Sequence, residues 1–230
     1  MGEKIINKKS NDKYFYQNLL KKDPNNYEVI LKLGLIDVKE NNFSSAKNKF
    51  EKLIKIDINK YEGYLNLSNI YSLDGEAFKA IGILNDYLNN IDENEEVVTA
   101  IAVNLLNVDK LNDLEKHINK YIDRYENHTL CYLKGFILTK TDKISESEYY
   151  FKKSISLNFN FWNSYDFLLK QYEKQSKLKD FKNLIDTAKK IFKNNAKLIY
   201  YESLYFFREK DYEKSFKILT NNENEQILLS

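Results

Sequence analysis

Residues 27–60 read YEVILKLGLIDVKENNFSSAKNKFEKLIKIDINK, and residues 61–94, YEGYLNLSNIYSLDGEAFKAIGILNDYLNNIDEN, follow in the same register. Steps of 34 from Tyr27 lead to Tyr61, Glu95, His128 after a one-residue slip, Trp162 and Ala196. The fourth place of every unit is apolar: Ile30, Tyr64, Val98, Cys131, Tyr165 and Ile199. The eighth is small in Gly34, Ser68, Ala102, Gly135 and Ser203, with Leu169 as the exception. At the twentieth stand Ala46, Ala80, Leu114, Ser147, Phe181 and Ser215, and the twenty-fourth is large throughout: Phe50, Leu84, Ile118, Phe151, Ile185 and Leu219. Each unit holds two blocks with apolar residues three and four apart, so each block carries one apolar stripe when helical. Polar pairs such as Asn41-Asn42, Asp74-Gly75 and Lys210-Asp211 separate the blocks. Two antiparallel helices approach to about 8–10 Å only over small side chains. The register therefore predicts that Gly34 faces Ala46 and that Ser68 faces Ala80.

The rest of the sequence agrees with a helical array. It has 230 residues, 43% of them hydrophobic, enough for a substantial core. With 6 Gly and 1 Pro it lacks the turn formers that sandwiches and barrels need. Neither G-x-x-x-x-G-K-[ST] nor G-x-G-x-x-G occurs, so no glycine-rich phosphate loop is expected. The net charge is +2 with both signs interspersed, and Arg124 and Arg208 are the only arginines. That leaves neither a field nor the guanidinium forks that favour nucleic acid, and no nucleic-acid partner is expected. Cys131 is alone, the first residues are polar, and no long apolar run follows, so a cytoplasmic chain with no membrane partner is expected.

On these residues the chain resembles the tetratricopeptide repeat (TPR) family, most closely in Leu33-Gly34 with Ala46 and Phe50, and in Tyr64, Leu67, Ser68, Tyr71, Gly75 and Ala80. The resemblance implies an all-α, right-handed superhelical solenoid of antiparallel helix pairs, about six pairs plus an N-terminal half pair that holds Tyr16, Leu19, Leu20, Asp23 and Pro24. The corresponding organisation is a flexible polar N-terminus over 1–11, a repeat domain over 12–220 with units starting near 27, 61, 95, 128, 162 and 196, and a linker or truncated start of a following segment over 221–230. Three departures carry expectations of their own. The eleventh place holds Asp37 in the first unit, against Tyr71, Leu105, Leu138, Tyr172 and Phe206 later. The proline that closes such repeats survives only as Pro24, so the second helices are expected to run on or end raggedly. In the fifth unit Leu169 and Phe181 are both large, and that pair is expected to splay, or the superhelix to bend there.

Catalytic chemistry finds little support. His117, His128 and Cys131 are too few for a structural metal site, and no G-x-S-x-G, H-E-x-x-H or C-x-x-C occurs. The runs Asp92 to Glu96 and Glu146 to Glu148 read as solvated helix ends. No enzyme activity, cofactor or metal is expected. The resemblance instead implies a concave groove lined by the first helices: Leu65, Asn66 and Asn69; Thr99 and Val103; Tyr132 and Phe136; Asp166, Lys170 and Glu173; Tyr200 and Leu204. An exposed stripe of Tyr132, Phe136 and Tyr200 would anchor a peptide or helix, with Asp166, Lys170 and Glu173 tuning specificity. Leu31, Leu35, Thr99 and Val103 replace the groove residues by which some members clamp carboxylates, and of an asparagine ladder only Asn66 remains. The expected function is a non-catalytic protein-interaction scaffold with a protein or peptide partner. The alternatives are the recognition arm of a longer enzyme whose catalytic domain lies beyond Ser230, and self-association through the C-terminal repeat.

Overall fold

A computed structural model of the chain describes residues 2–220, with side chains from residue 12 onward. The 221–230 segment, expected as a linker, lies outside the described residues. Among these there are helices and no strands: α1 (Gly2–Lys22), then the pairs α2 (Tyr27–Lys39) with α3 (Phe43–Ile56), α4 (Tyr61–Leu73) with α5 (Ala77–Asn90), and α6 (Glu95–Asn107) with α7 (Leu111–Tyr121). After these come α8 (His128–Lys140) with α9 (Ile144–Leu157), α10 (Trp162–Lys174) with α11 (Leu178–Lys189), and α12 (Ala196–Arg208) with α13 (Tyr212–Thr220). Every first helix begins on the first residue of its unit. The fold is a helical-repeat solenoid, all-α, built of antiparallel pairs.

The 1–11 stretch, expected as a flexible polar N-terminus, has helical backbone from Gly2 as the start of α1. Neither Gly nor Pro interrupts it before Pro24, so nothing stops the helix. The 12–220 stretch parts into two compact bodies between Tyr121 and Ile122. The break falls inside the unit that is one residue short, where six residues without helix, 122–127, separate α7 from α8.

The turn inside each pair is built the same way six times. Asn41, Gly75, Asp109, Asp142, Ser176 and Lys210 all adopt left-handed backbone, with φ between 53° and 77°. The N–H of the residue after each donates back to the carbonyl of the eleventh residue: Asn42 to Asp37 at 2.8 Å, Glu76 to Tyr71 at 2.7 Å, Lys110 to Leu105 at 2.9 Å, Lys143 to Leu138 at 3.0 Å, Lys177 to Tyr172 at 2.9 Å and Asp211 to Phe206 at 2.9 Å. This is the Schellman closure, which satisfies carbonyls the helix end would otherwise leave open. Only one of the six is glycine, although a Cβ in this conformation costs about 1 kcal/mol or more. Lys210→Gly and Ser176→Gly should therefore each raise stability by about 0.5–1 kcal/mol, read as a higher midpoint in thermal unfolding.

Between pairs, the second helices stop at different places of the repeat, α7 and α11 earlier than α3, α5 and α9. Asparagine starts the helix that follows: the side chains of Asn26, Asn94, Asn127 and Asn195 accept backbone N–H bonds in the first turns of α2, α6, α8 and α12. Asp57 and Asn158 close α3 and α9 by turning their side chains onto the N–H two residues on, both at 3.1 Å.

The small eighth residue makes room for the aromatic ring of the twenty-fourth place. A Cβ on Gly34 would stand 2.5 Å from Phe50 Cε1, and one on Gly135 would stand 2.9 Å from Phe151 Cδ1. Both rings are fully buried. In the last pair the same close approach is made by Ser203 and Ser215, whose buried hydroxyls lie 2.9 Å apart. Pairs with Ala or Ser at the twentieth place pack more extensively backbone to backbone than α6–α7 and α10–α11, where Leu114 and Phe181 hold that place.

Asp37, the departure at the eleventh place, is an anchor. Its carboxylate is buried at 2% exposure and meets Lys13 Nζ from α1 at 2.9 Å and Lys49 Nζ from α3 at 2.6 Å. Burial alone would raise its pKa, but the two ammonium groups outweigh burial and hold it below the usual carboxylate range. The half pair α1 is thereby tied to the first full pair.

Candidate interaction surface

In the N-terminal body the five expected groove residues differ in exposure and polar contacts. Leu65 is half-buried, Asn69 is exposed and Val103 is 36% exposed. The Asn66 amide donates to the Glu62 carbonyl on its own helix at 2.8 Å, so it is occupied locally. Thr99 is half-buried, with its hydroxyl oxygen enclosed and unpartnered. A neighbouring polar contact was missed by the sequence reading. Asn104, at 4% exposure on α6, accepts from the Ser72 hydroxyl of α4 at 2.5 Å and donates to the Ala100 carbonyl at 2.9 Å. Polar residues scatter at this tenth place, so no periodic signal marked it.

In the C-terminal body Tyr132 and Phe136 meet on one covering ring. Tyr132 and Phe136 on α8 are half-buried because Phe167 on α10 lies edge-on to both, at 5.7 Å between ring centres in each case. Phe151 and Phe161 also pack on Tyr132, at 6.0 and 5.3 Å. Phe167 occupies the sixth place, noted in the sequence only as an interruption of an asparagine ladder. Tyr200 alone of the expected stripe is open, at 48% exposure on α12. Leu204 is half-buried against the core formed by Leu168, Leu198 and Tyr201.

Asp166 is not available to tune specificity. It is 7% exposed and accepts the Tyr201 hydroxyl at 2.7 Å and the Lys170 ammonium at 2.8 Å, with Lys197 at 3.5 Å. Burial would raise its pKa, but these donors keep it lowered, while burial and Asp166 together raise that of Tyr201. The cluster ties α10 to α12. Lys170 keeps its outer surface exposed, whereas Glu173 is half-buried and paired with Arg208. On the second-helix side, Glu148 gathers Lys152, Lys177 and the Tyr172 hydroxyl. Their hydrogen bonds overcome burial and hold its carboxyl down at about 2.

The histidines and the cysteine serve packing. His128 Nε2 meets the Asn158 amide at 3.3 Å and its ring sits on Phe161, while the His117 Nε2 lies 2.9 Å from the Val98 carbonyl. Cys131 is buried at 1% exposure, which pushes its thiol pKa up. Among the described residues no helix is long and apolar enough to cross a membrane.

No family model matches the sequence, and no curated protein matches it as a relative. Solved structures do match in fold. A type IV pilus biogenesis factor, PilW, aligns with a TM-score of 0.70 at 13% identity, covering 89% of this chain and 98% of its own. PilF of Pseudomonas aeruginosa aligns with a TM-score of 0.69 at 16% identity, over 84% of this chain and 88% of its own. A tetratricopeptide repeat protein from Parabacteroides merdae aligns at 0.63 and 16% identity, over 98% and 94%.

Proposed function

We propose that this chain, which has the tetratricopeptide-repeat fold, is a protein-interaction scaffold that holds a peptide or short helix against the first helices of its C-terminal body. The observation that carries this reading is the half-exposed aromatic surface there: Tyr200 on α12 at 48% exposure, with Phe136 and Phe167 half-buried on α8 and α10. Such rings bring large apolar area at little entropic cost, which suits them to anchoring a partner. In the N-terminal body Leu65, Asn69 and Val103 line the corresponding positions with smaller or polar side chains.

Tyr200→Ser combined with Phe136→Ser should strip away the proteins retained by the wild-type chain on an affinity column, with helicity unchanged by circular dichroism. Tyr149→Ser, on α9 and also well exposed at 60%, should retain them. An unchanged set of partners in the double variant would count against the first-helix face.

A second reading, self-association, has its own observation. The seventeenth place is covered in Phe43, Ala77, Leu111, Ile144 and Leu178, yet Tyr212 in the last pair is 58% exposed, beside Phe207 at 54% and Phe216 at 69%. This α12–α13 face is suited to a second copy. The wild type should then show a concentration-dependent mass in sedimentation that Phe216→Glu abolishes, and a strictly monomeric wild type at high concentration removes the reading.

A further inference from the structure

Along the first helices of the C-terminal body, aromatic rings alternate with ammonium groups in one contiguous strip. Lys140 Nζ stands 5.2 Å from the centre of the Phe136 ring, Phe136 meets Phe167 at 5.7 Å, and Lys170 Nζ stands 5.6 Å from the centre of Phe167. From Lys170 the strip continues through the Asp166 carboxylate to Lys197. Lys170 and Lys197 thus share one carboxylate, which is buried and already takes the Tyr201 hydroxyl, while Lys140 adds a third cation at the Phe136 end. The cations face water: Lys140 is exposed, and the side chains of Lys170 and Lys197 are 55% and 63% exposed. The excess positive charge therefore surrounds an apolar centre. The N-terminal body differs in charge along its first helices. At the second place its first helices carry Glu28, Glu62 and Glu96, where the C-terminal body has Thr129, Asn163 and Lys197.

We infer that the strip binds an acidic protein segment bearing aromatic or long aliphatic side chains. Its carboxylates meet Lys140, Lys170 and Lys197, and its apolar side chains lie against Phe136 and Phe167. This rests on the scaffold reading and adds the chemistry of the occupant. A partner of opposite charge gains association rate and orientation from the cations, while contact with the rings supplies the apolar burial. Nucleic acid fits less well, because the strip offers ammonium point charges rather than guanidinium forks, and Arg208 is already engaged by Glu173.

The test uses the whole chain and a fluorescein-labelled synthetic peptide of Asp, Glu, Phe and Leu, with its Asn/Gln counterpart and an oligothymidylate as comparisons. Fluorescence anisotropy at low ionic strength should show the acidic peptide binding about tenfold more tightly than the amide peptide, a gap that closes as salt is added. Lys140→Glu with Lys197→Glu should abolish the preference, and Lys179→Glu on the second helix α11 should leave it intact. Equal binding of the two peptides overturns the acidic chemistry while leaving the scaffold reading in place. Tighter binding of the oligothymidylate, or no binding of either peptide, also overturns it. The scaffold reading itself falls only if the Tyr200 and Phe136 double variant keeps its partners.

Discussion

Replacing Lys13 and Lys49 together by Met lowers the stability of the chain by about 3 kcal/mol, and does so most strongly near neutral pH. The two lysines are each about a quarter exposed, 26% and 25%, so Met keeps the packing of their stems. What the double variant loses is the charge facing Asp37, whose side chain is only 3% exposed. A buried carboxylate without a counter-ion is among the costliest single features a fold can carry. In the wild type the folded pKa of Asp37 is lowered. Its contribution is then fully present above the ordinary carboxylate range and is lost as the pH falls through the lowered value. In the variant burial dominates and the folded pKa rises, so the contribution is present in acid and is lost as the pH rises. The destabilisation measured by urea unfolding should therefore shrink steadily from neutral pH toward acid. A penalty that stays the same at every pH would mean that the lysines act by packing alone.

Gly34→Leu should cost about 3 kcal/mol, and even Gly34→Ala about 1–2 kcal/mol, because the first added carbon already collides with Phe50. That ring is fully buried, so it has no free direction in which to move. Gly82 gives the contrast. It also lies in a helix, α5, but no atom outside its own local backbone comes within 4 Å of an added Cβ. Gly82→Ala should stabilise by about 0.5–1 kcal/mol through helix propensity. Thermal unfolding of the three variants separates the two effects, and a Gly34→Ala as stable as the wild type would show that Phe50 can yield.

The features legible in the sequence were those that recur. Six units in register fixed the start of every first helix and the site of every turn, because each apolar stripe and each polar pair was seen six times. What escaped was whatever a single unit does alone. Asp37 looked like a blemish in an apolar column, since its partners Lys13 and Lys49 lie on two other helices and only the folded chain brings them to one carboxylate. Phe167 was passed over for a related reason. It fills a column with no constant character, and its effect, covering Tyr132 and Phe136, depends on the neighbouring pair. Position in the repeat marked Asp166 as a groove residue, but gave no sign that the Tyr201 hydroxyl would close over it. The missing prolines told little, because Asx turns at Asp57 and Asn158 end α3 and α9 by hydrogen bonding and leave only a weak mark in composition.

The proposed binding face is formed by the first helices of the C-terminal body. The most direct measurement is the change in amide chemical shifts of the isotope-labelled chain as the acidic peptide is added. Shifts concentrated in residues 128–140, 162–174 and 196–208, with little movement in 144–157 and 178–189, are the predicted result. Shifts gathered instead on the second helices α9 and α11 would contradict it.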